Sequence, residues 1–205
     1  MKSCQAPLIT QIEKAIESIP GWSPLDQLLT LACLVVSTTH LDGNIVEIGS
    51  WCGRSTTALG LAARAAGDTD VLALDLFPHR DDWRRNDDGS YSLAVRLEGR
   101  LVNAYDSQTV WREPFERDIA PLYEKHDSIF DFFRASMRNN ELDKIVTAIR
   151  GTSDDLPHIS QLKKGCRLAF IDGDHSYEAV SRDIRNIEVF LVEGGWICFD
   201  DAFSH

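Results

Sequence analysis

The sequence predicts an α/β protein with a mostly parallel β-sheet and helices on both faces. Five short segments are apolar almost without interruption, which is typical of strands buried on both faces of a parallel sheet. Segments with helical spacing separate them, as the crossovers of a parallel sheet require. The five predicted strands are residues 44–49, 70–76, 144–150, 167–172 and 196–200.

Helices are predicted before and between these strands. Residues 8–18 have helical spacing, and Ser23 followed by Pro24 predicts an N-cap and first helical position for a helix that extends to about Thr39. Residues 1–43 thus form an N-terminal helical segment of a single domain of 205 residues. Further helices are expected at residues 55–66, 127–140 and 178–191.

The connection between the second and third predicted strands is an insert. Residues 77–143 are several times longer than the roughly dozen residues that a crossover needs. The insert contains a predicted hairpin that turns at Glu98 and Gly99. Long inserts at the carboxyl edge of a parallel sheet are typical of lids over a ligand. A surface loop or an oligomer contact is the alternative.

Composition excludes several classes of protein. The formal net charge of −11 disfavours nucleic acid and anionic membranes as partners. The odd number of cysteines, five, and the absence of a C-x-x-C pair disfavour a disulfide framework or a zinc site. No apolar run is long enough to span a bilayer, and no signal peptide is evident. We therefore expect a cytoplasmic protein.

Residues 46–55, VEIGSWCGRS, carry the strongest local signal. A strand leads into a glycine turn that opens a helix, whose free N–H groups attract an anionic ligand group. Gly49 permits the tight turn, Gly53 permits close approach of a cofactor, and Ser55 adds a hydroxyl. Asp75 ends the next strand and can accept both hydroxyls of a ribose. A plain strand-to-helix turn is the alternative to a ribose-bearing cofactor.

The details of this loop favour S-adenosylmethionine over a dinucleotide. The third glycine of the dinucleotide fingerprint is replaced. Glu47, at the strand end, would repel a diphosphate, whereas its carboxylate can face an amino group. S-adenosylmethionine carries an ammonium group and a carboxylate on its methionine end.

Four motifs give a specific resemblance. Residues 47–55 resemble the first motif of class I methyltransferases, especially catechol O-methyltransferase, and residues 151–156, GTSDDL, resemble the segment that flanks the adenine. Residues 170–177, FIDGDHSY, and 194–201, GGWICFDD, resemble macrolide-sugar O-methyltransferases and cephalosporin-hydroxylase-like proteins. The resemblance implies a Rossmann-like, doubly wound sheet with strand order 3-2-1-4-5. The implied cofactor-binding residues are Glu47, Gly49, Ser50, Gly53, Ser55, Asp75, Ser153, Asp154 and Asp172.

Three aspartates end two predicted strands. Asp172 follows the fourth, and Asp200 and Asp201 follow the fifth, so their carboxylates should converge at the ligand crevice. Converging carboxylates need a neutralising cation, and oxygen ligands favour Mg²⁺, with Mn²⁺ or Ca²⁺ as alternatives. The resemblance also matches these three residues to metal ligands. Helix capping or water binding is the other interpretation.

His175 and Asp174 are the candidate catalytic bases. Imidazole titrates near neutral pH and can take a proton from a hydroxyl, while some similar enzymes use the carboxylate at the position of Asp174. The sequence leaves this choice open. The expected function is Mg²⁺-dependent O-methylation of a small molecule such as a sugar, phenol or natural product.

Two other functions are compatible with the sequence. One is an NAD-dependent oxidoreductase or epimerase, which predicts a fuller glycine fingerprint. The other is a non-catalytic cofactor-binding module. Class I methyltransferases continue into two antiparallel strands that this chain lacks, so we expect a domain that is incomplete at its C-terminal side. The exposed edge of its last strand predicts a homo-oligomer.

Overall fold

A computed structural model describes residues 6–67 and 70–201. The strands are β1 (Asn44–Ile48), β2 (Val71–Asp75), β3 (Trp83–Arg85), β4 (Tyr91–Leu97), β5 (Arg100–Ala104), β6 (Val146–Arg150), β7 (Cys166–Ile171) and β8 (Leu191–Phe199). The helices are α1 (Leu8–Ile16), α2 (Leu25–Ser37), α3 (Arg54–Ala66), the short α4 (Arg112–Pro114), α5 (Ile129–Asn139) and α6 (Tyr177–Glu188). Short 3₁₀ or π turns lie at Arg80–Asp82, Phe115–Ile119, Ala120–Glu124, Ser153–His158 and Ser160–Lys164.

The main sheet has five strands in the order β6-β2-β1-β7-β8, and all neighbours are parallel. Numbered by their order along the chain, these strands read 3-2-1-4-5. The central strand β1 is buried along its whole length. The predicted parallel α/β sheet is thus present, and the ends of β1, β2, β6 and β7 point toward one edge.

Both faces of the sheet are covered. Alternate residues of β1 divide between two clusters, because successive side chains of a strand point to opposite faces. Ile45 packs with the buried side chains of α1, α2, α3 and α5, whereas Val46 and Ile48 pack with Leu156, Leu162 and Ile187 on the other face. The core therefore continues from the N-terminal helices through the sheet to α6.

Several element boundaries differ from the prediction by one to five residues, among them the starts of α2 and β8. Pro24 occupies the N-cap position of α2, with no side-chain cap, and Leu25 is the first helical residue. Strand β8 starts at Leu191, five residues before the predicted start at Trp196. The strand includes Gly194 at φ +81°, and its pairing with β7 has a register irregularity between Cys166 and Leu168.

The insert forms a small antiparallel sheet in the order β3-β4-β5. Its hairpin turns at Glu98 and Gly99, as predicted, and both residues have the positive φ that a tight hairpin turn requires. Strand β3 was not predicted because it lies in a run of charged residues. The insert has its own cluster, in which Leu93, Val95 and Leu97 are buried.

Two further properties of the described part concern membranes and thiols. None of its helices has the length and apolar character needed to cross a bilayer. Cys33, Cys52, Cys166 and Cys198 are free thiols, whereas the fifth cysteine of the sequence, Cys4, lies outside the described residues.

Candidate functional site

A cavity of about 270 Å³ lies at the carboxyl ends of the parallel strands. Ligands bind at this edge in doubly wound sheets because the strand order reverses there and leaves a crevice. The sheet side of the cavity includes Gly49, Ser50, Trp51, Ser55, Asp75, Ser153, Asp172, Gly173, Asp174 and His175. Residues 20–23 and the insert form the opposite side, with Trp83, Leu93, Val102, Tyr105, Val110 and Ile119 among the lining residues.

Gly49 is required by the contact between β1 and β7. Its φ is +93°, and its amide donates to the carbonyl of Leu74 at 2.8 Å. A Cβ at this position would lie 2.1 Å from the carbonyl oxygen of Asp172. The glycine therefore lets the cofactor loop and the loop after β7 approach each other at the floor of the cavity.

Gly53 lies against helix α5. A Cβ there would lie 2.8 Å from Met137 and 3.1 Å from Phe133, both on α5, and Gly53 does not line the cavity. Its φ of +89° turns the chain into α3. Gly53 thus provides helix packing, while Ser55, in the first turn of α3, does line the cavity.

Glu47 lies beneath the loop and not in the cavity wall. Its side chain is fully buried, and Oε2 accepts a hydrogen bond from Thr56. Burial raises the pKa of this carboxyl, and Oε1 has no hydrogen-bond partner among the described residues. Through Thr56, Glu47 supports the start of α3, and its predicted contact with a cofactor amino group stays a prediction.

Asp75 faces the cavity at the end of β2. Oδ2 accepts from the amide of Trp51 at 2.9 Å and Oδ1 from the amide of Phe77 at 2.6 Å. Burial raises the pKa of the carboxyl, and the two amides oppose that shift. Each oxygen keeps a further lone pair for a hydroxyl group of a ligand.

Of the two predicted site residues that follow β6, one lines the cavity and the other does not. Ser153 lines the cavity and donates to Oδ1 of Asp183 at 2.6 Å. Asp154, predicted to flank the base, does not line it: its carboxylate accepts from Asn186 at 2.8 Å and lies 4.0 Å from Arg100. Asp183 also lines the cavity and was missed, because its position within α6 gave no motif.

Asp172 and Asp200 interact, but the predicted set of three ligands is not assembled. The pKa of Asp172 is raised to about 9 by burial, by Asp200 and then by Glu47 and Asp201. Asp200 also accepts from Gln27, and Asp201 is exposed. Within residues 6–67 and 70–201 no three His, Cys, Asp or Glu side chains are arranged to hold a metal ion. The oxygen-only chemistry of the Asp172–Asp200 pair nevertheless suits a hard cation.

The two candidate bases differ in their hydrogen bonds. Asp174 accepts from the amide of Tyr105 at 2.8 Å and from that of Ser176 at 2.9 Å. His175 lines the same cavity with its Nε2 4.0 Å from Oδ1 of Asp172. Asp174 therefore joins the insert to the loop after β7, and His175 has a ring nitrogen beside the carboxylate pair.

A group of aromatic side chains also belongs to the site, and the sequence did not predict that these residues lie together. Trp51 and Trp83 have ring centroids 6.4 Å apart, and Trp83 stacks with Tyr105 at 6.3 Å. Trp22, from the N-terminal segment, lies 6.2 Å from Trp51. The individual residues were visible as aromatic positions, but they are distant in the sequence and only the tertiary structure brings them together.

Known proteins share this architecture. The structure of the O-methyltransferase NovP matches with a TM-score of 0.57 at 22% identity, over 86% of this chain and 65% of NovP. The calicheamicin methyltransferase CalS11 matches with a TM-score of 0.53 at 16% identity, over 96% of this chain and 77% of CalS11. At these identities the likeness concerns the fold.

A third match is the methyltransferase PaMTH1 of Podospora anserina, whose structure contains bound SAH. Its TM-score is 0.56 at 14% identity, and the alignment covers 96% of this chain and 62% of PaMTH1. The chain thus spans less than two thirds of the length of NovP or PaMTH1.

The family model described as a methyltransferase domain matches residues 46–202, which is more than half of the chain. The match begins in β1, before the glycine loop, and extends beyond β8, so it includes every strand end of the cavity. It confirms the family that the four sequence motifs indicated. The chain therefore belongs to the methyltransferase-domain family.

Proposed function

We propose that this domain transfers a methyl group from S-adenosylmethionine to a hydroxyl of a small molecule. The observation that carries the proposal is the position of Asp75 beside Gly49 and Ser55 in one cavity, with His175 and the Asp172–Asp200 pair on its adjoining side. The family match and the fold of the O-methyltransferase NovP support it.

The sheet side of the cavity is the proposed cofactor site. Asp75 would accept hydrogen bonds from the ribose hydroxyls, because each of its oxygens keeps a free lone pair. Ser153 lies at the end of the neighbouring strand, at the place that a base attached to this ribose would occupy. Gly49, Ser50 and Ser55 would contact the methionine end. An NAD-binding role is disfavoured because the loop lacks the third glycine of the dinucleotide fingerprint.

His175 is the proposed base. Asp174 already accepts hydrogen bonds from two backbone amides, which hold its carboxylate between the insert and the loop after β7, whereas His175 has a ring nitrogen beside the carboxylate pair. His175 would remove the proton of the acceptor hydroxyl while the oxygen takes the methyl carbon and the carbon–sulfur bond breaks, releasing S-adenosylhomocysteine. The insert and residues 20–23 would exclude water as a lid over the reacting atoms.

Mg²⁺ is part of the proposal, with Asp172 and Asp200 as the residues that would hold it. A divalent cation would relieve the repulsion between these carboxylates and lower the pKa of a bound hydroxyl. Asp201 would need to move toward the pair to act as a third ligand, since the described residues assemble no set of three.

Transfer of a labelled methyl group to a panel of vicinal diols tests the proposal. We expect transfer that EDTA abolishes, and His175→Gln should reduce the rate by about 100-fold, the lower range for loss of a general base. Asp75→Asn should weaken binding of S-adenosylhomocysteine. The matched control is Asp70→Asn, because Asp70 is a half-buried aspartate that directly precedes β2, at the end away from the cavity. Binding of NAD but not of S-adenosylhomocysteine would contradict the proposal. A greater loss in Asp174→Asn than in His175→Gln would reverse the assignment of the base.

A further inference from the structure

Asp183 is a buried carboxyl of the cavity that the proposed reaction does not use. It lies on α6, is only 5% exposed, and lines the cavity beside Ser153. Its Oδ1 accepts from Ser153, whereas its Oδ2 has no hydrogen-bond partner among the described residues. A Cβ on Gly173, another lining residue, would be 3.8 Å from this Oδ2. Because a buried carboxylate oxygen without a partner is costly, Oδ2 is suited to accept a hydrogen bond from a ligand.

The hydroxyl of Ser153 is fixed in one orientation by two residues of α6. It donates its proton to Oδ1 of Asp183 at 2.6 Å and accepts from the amide of Asn186 at 3.0 Å. A serine hydroxyl has one proton and two lone pairs. The proton is committed to the carboxylate and one lone pair to the amide, so the hydroxyl can offer only its second lone pair to the cavity.

The orientation of the Asn186 amide is fixed as well. Its nitrogen donates to Ser153 and also to Oδ1 of Asp154 at 2.8 Å. If the amide were reversed, its oxygen would face that carboxylate, and both hydrogen bonds would be lost. The nitrogen of Asn186 therefore stays directed at Ser153.

These contacts leave two hydrogen-bond acceptors side by side, Oδ2 of Asp183 and a lone pair of Ser153. Burial raises the pKa of Asp183, while the hydroxyl of Ser153 and then the charge of Arg182 oppose that shift. Both of these neighbours favour the ionised carboxylate, which accepts hydrogen bonds and cannot donate one. In buried surroundings such a pair attracts an N–H group and repels an oxygen atom.

We propose that Asp183 is a specificity-determining residue of the cofactor site, which selects, together with Ser153, a base that carries an exocyclic amino group. The inference rests on the proposed S-adenosylmethionine site, in which Ser153 lies beside the base. Adenine presents an amino group at C6, whereas hypoxanthine presents an oxygen there. Asp183 would accept from this amino group and would hold the Ser153 hydroxyl as a second acceptor for it.

Calorimetric titration of the full chain with two pairs of ligands tests the inference. The pairs are S-adenosylhomocysteine with S-inosylhomocysteine, and adenosine with inosine, at slightly alkaline pH to keep the carboxyl ionised. We expect the wild type to bind the amino member of each pair at least about 10-fold more tightly, because the oxo member leaves buried acceptors unpaired.

Asp183→Asn should reduce this preference by about 5-fold or more. An amide at this position brings a donor to the cavity in either orientation. Its nitrogen faces the cavity itself, or it donates to Ser153 and frees the hydroxyl proton to point there. A residue that only packed the site would weaken the binding of both members equally.

Two further variants separate hydrogen-bond polarity from packing. Asn186→Ala removes a hydrogen bond to the same hydroxyl but leaves its proton with Asp183, so the preference should remain. Asp131→Asn is the matched control: Asp131 also accepts from a serine hydroxyl, that of Ser128 at 2.8 Å, but it does not line the cavity. Asp131→Asn should leave all four affinities unchanged.

Three results would overturn the inference. These are equal binding of the amino and oxo members by the wild type, an unchanged preference in Asp183→Asn, and an equal loss of preference in Asp183→Asn and Asn186→Ala. Failure of S-adenosylhomocysteine to bind, with the preference for adenosine over inosine intact, would contradict the proposed function alone. Binding of neither pair would contradict both.

Discussion

The two sides of the central cavity are held in place in different ways. The sheet side follows from backbone geometry, because the ends of β1 and β7 are locked together where Gly49 meets the carbonyl of Asp172. The opposite side depends on side chains: Arg54 holds residues 20–23, and Asp174 holds Tyr105 of the insert. Changes on the sheet side should therefore cost more stability than changes on the opposite side, which should mainly alter the site.

Gly49→Ala should have the largest effect. The new Cβ would meet the Asp172 carbonyl at 2.1 Å, and the φ of +93° is itself unfavourable for alanine. We expect a loss of about 4 kcal/mol in the free energy of unfolding, the upper range for one substitution, measured by urea denaturation. Gly67→Ala is the control: its φ is +81°, but no atom of the described residues lies within 4 Å of the new Cβ, so it should cost only about 1 kcal/mol. Equal costs would show that the contact between β1 and β7 is not what requires glycine.

Arg54→Met should have an intermediate effect confined to the opposite side. It removes hydrogen bonds to the carbonyls of Ile16, at 2.6 Å, Ile19 and Ser23, while retaining most of the apolar stem. We expect a loss of about 2 kcal/mol in the free energy of unfolding, with earlier proteolysis near residues 20–23. Lys14→Met on exposed α1 surface should change neither measurement. A normal proteolysis pattern in Arg54→Met would mean that the N-terminal segment is held by other contacts.

Asp172 should make stability depend on pH. Because its pKa is raised from 3.8 to about 9 in the folded protein, its stabilising contribution is complete below the ordinary pKa and is lost as the pH rises toward 9. In EDTA, the wild type should lose about 1 kcal/mol per pH unit relative to Asp172→Asn through the neutral range. Urea unfolding at several pH values measures this.

Parallel pH curves for the two proteins would contradict the raised pKa. Addition of Mg²⁺ sharpens the same experiment, since a cation bound by Asp172 and Asp200 should stabilise the wild type most at high pH and leave Asp172→Asn little changed.

The sheet side was largely predictable and the opposite side was not. The glycine loop and Asp75 are local patterns whose geometry follows from a strand, a turn and a helix N-terminus. Ser153 and Asp172 came from family motifs, and both line the cavity. Gly53 and Asp154 do not line the cavity, because a motif identifies a loop but does not determine which way each residue of that loop faces; their contacts with a cofactor stay predictions. Glu47 also lies outside the cavity lining, because its position in β1 directs its side chain beneath the loop.

The amino-acid sequence by itself determined the parallel sheet, the strand ends at which the site lies and the methyltransferase family, because these depend on short-range patterns of apolar residues, glycines and acids. Only the tertiary structure decided which partners those residues have. It brought Trp22, Trp51 and Trp83 into one row and joined the insert to Asp174. Such contacts link positions far apart in the chain, and they are selected by the packing of whole elements, which no local pattern encodes.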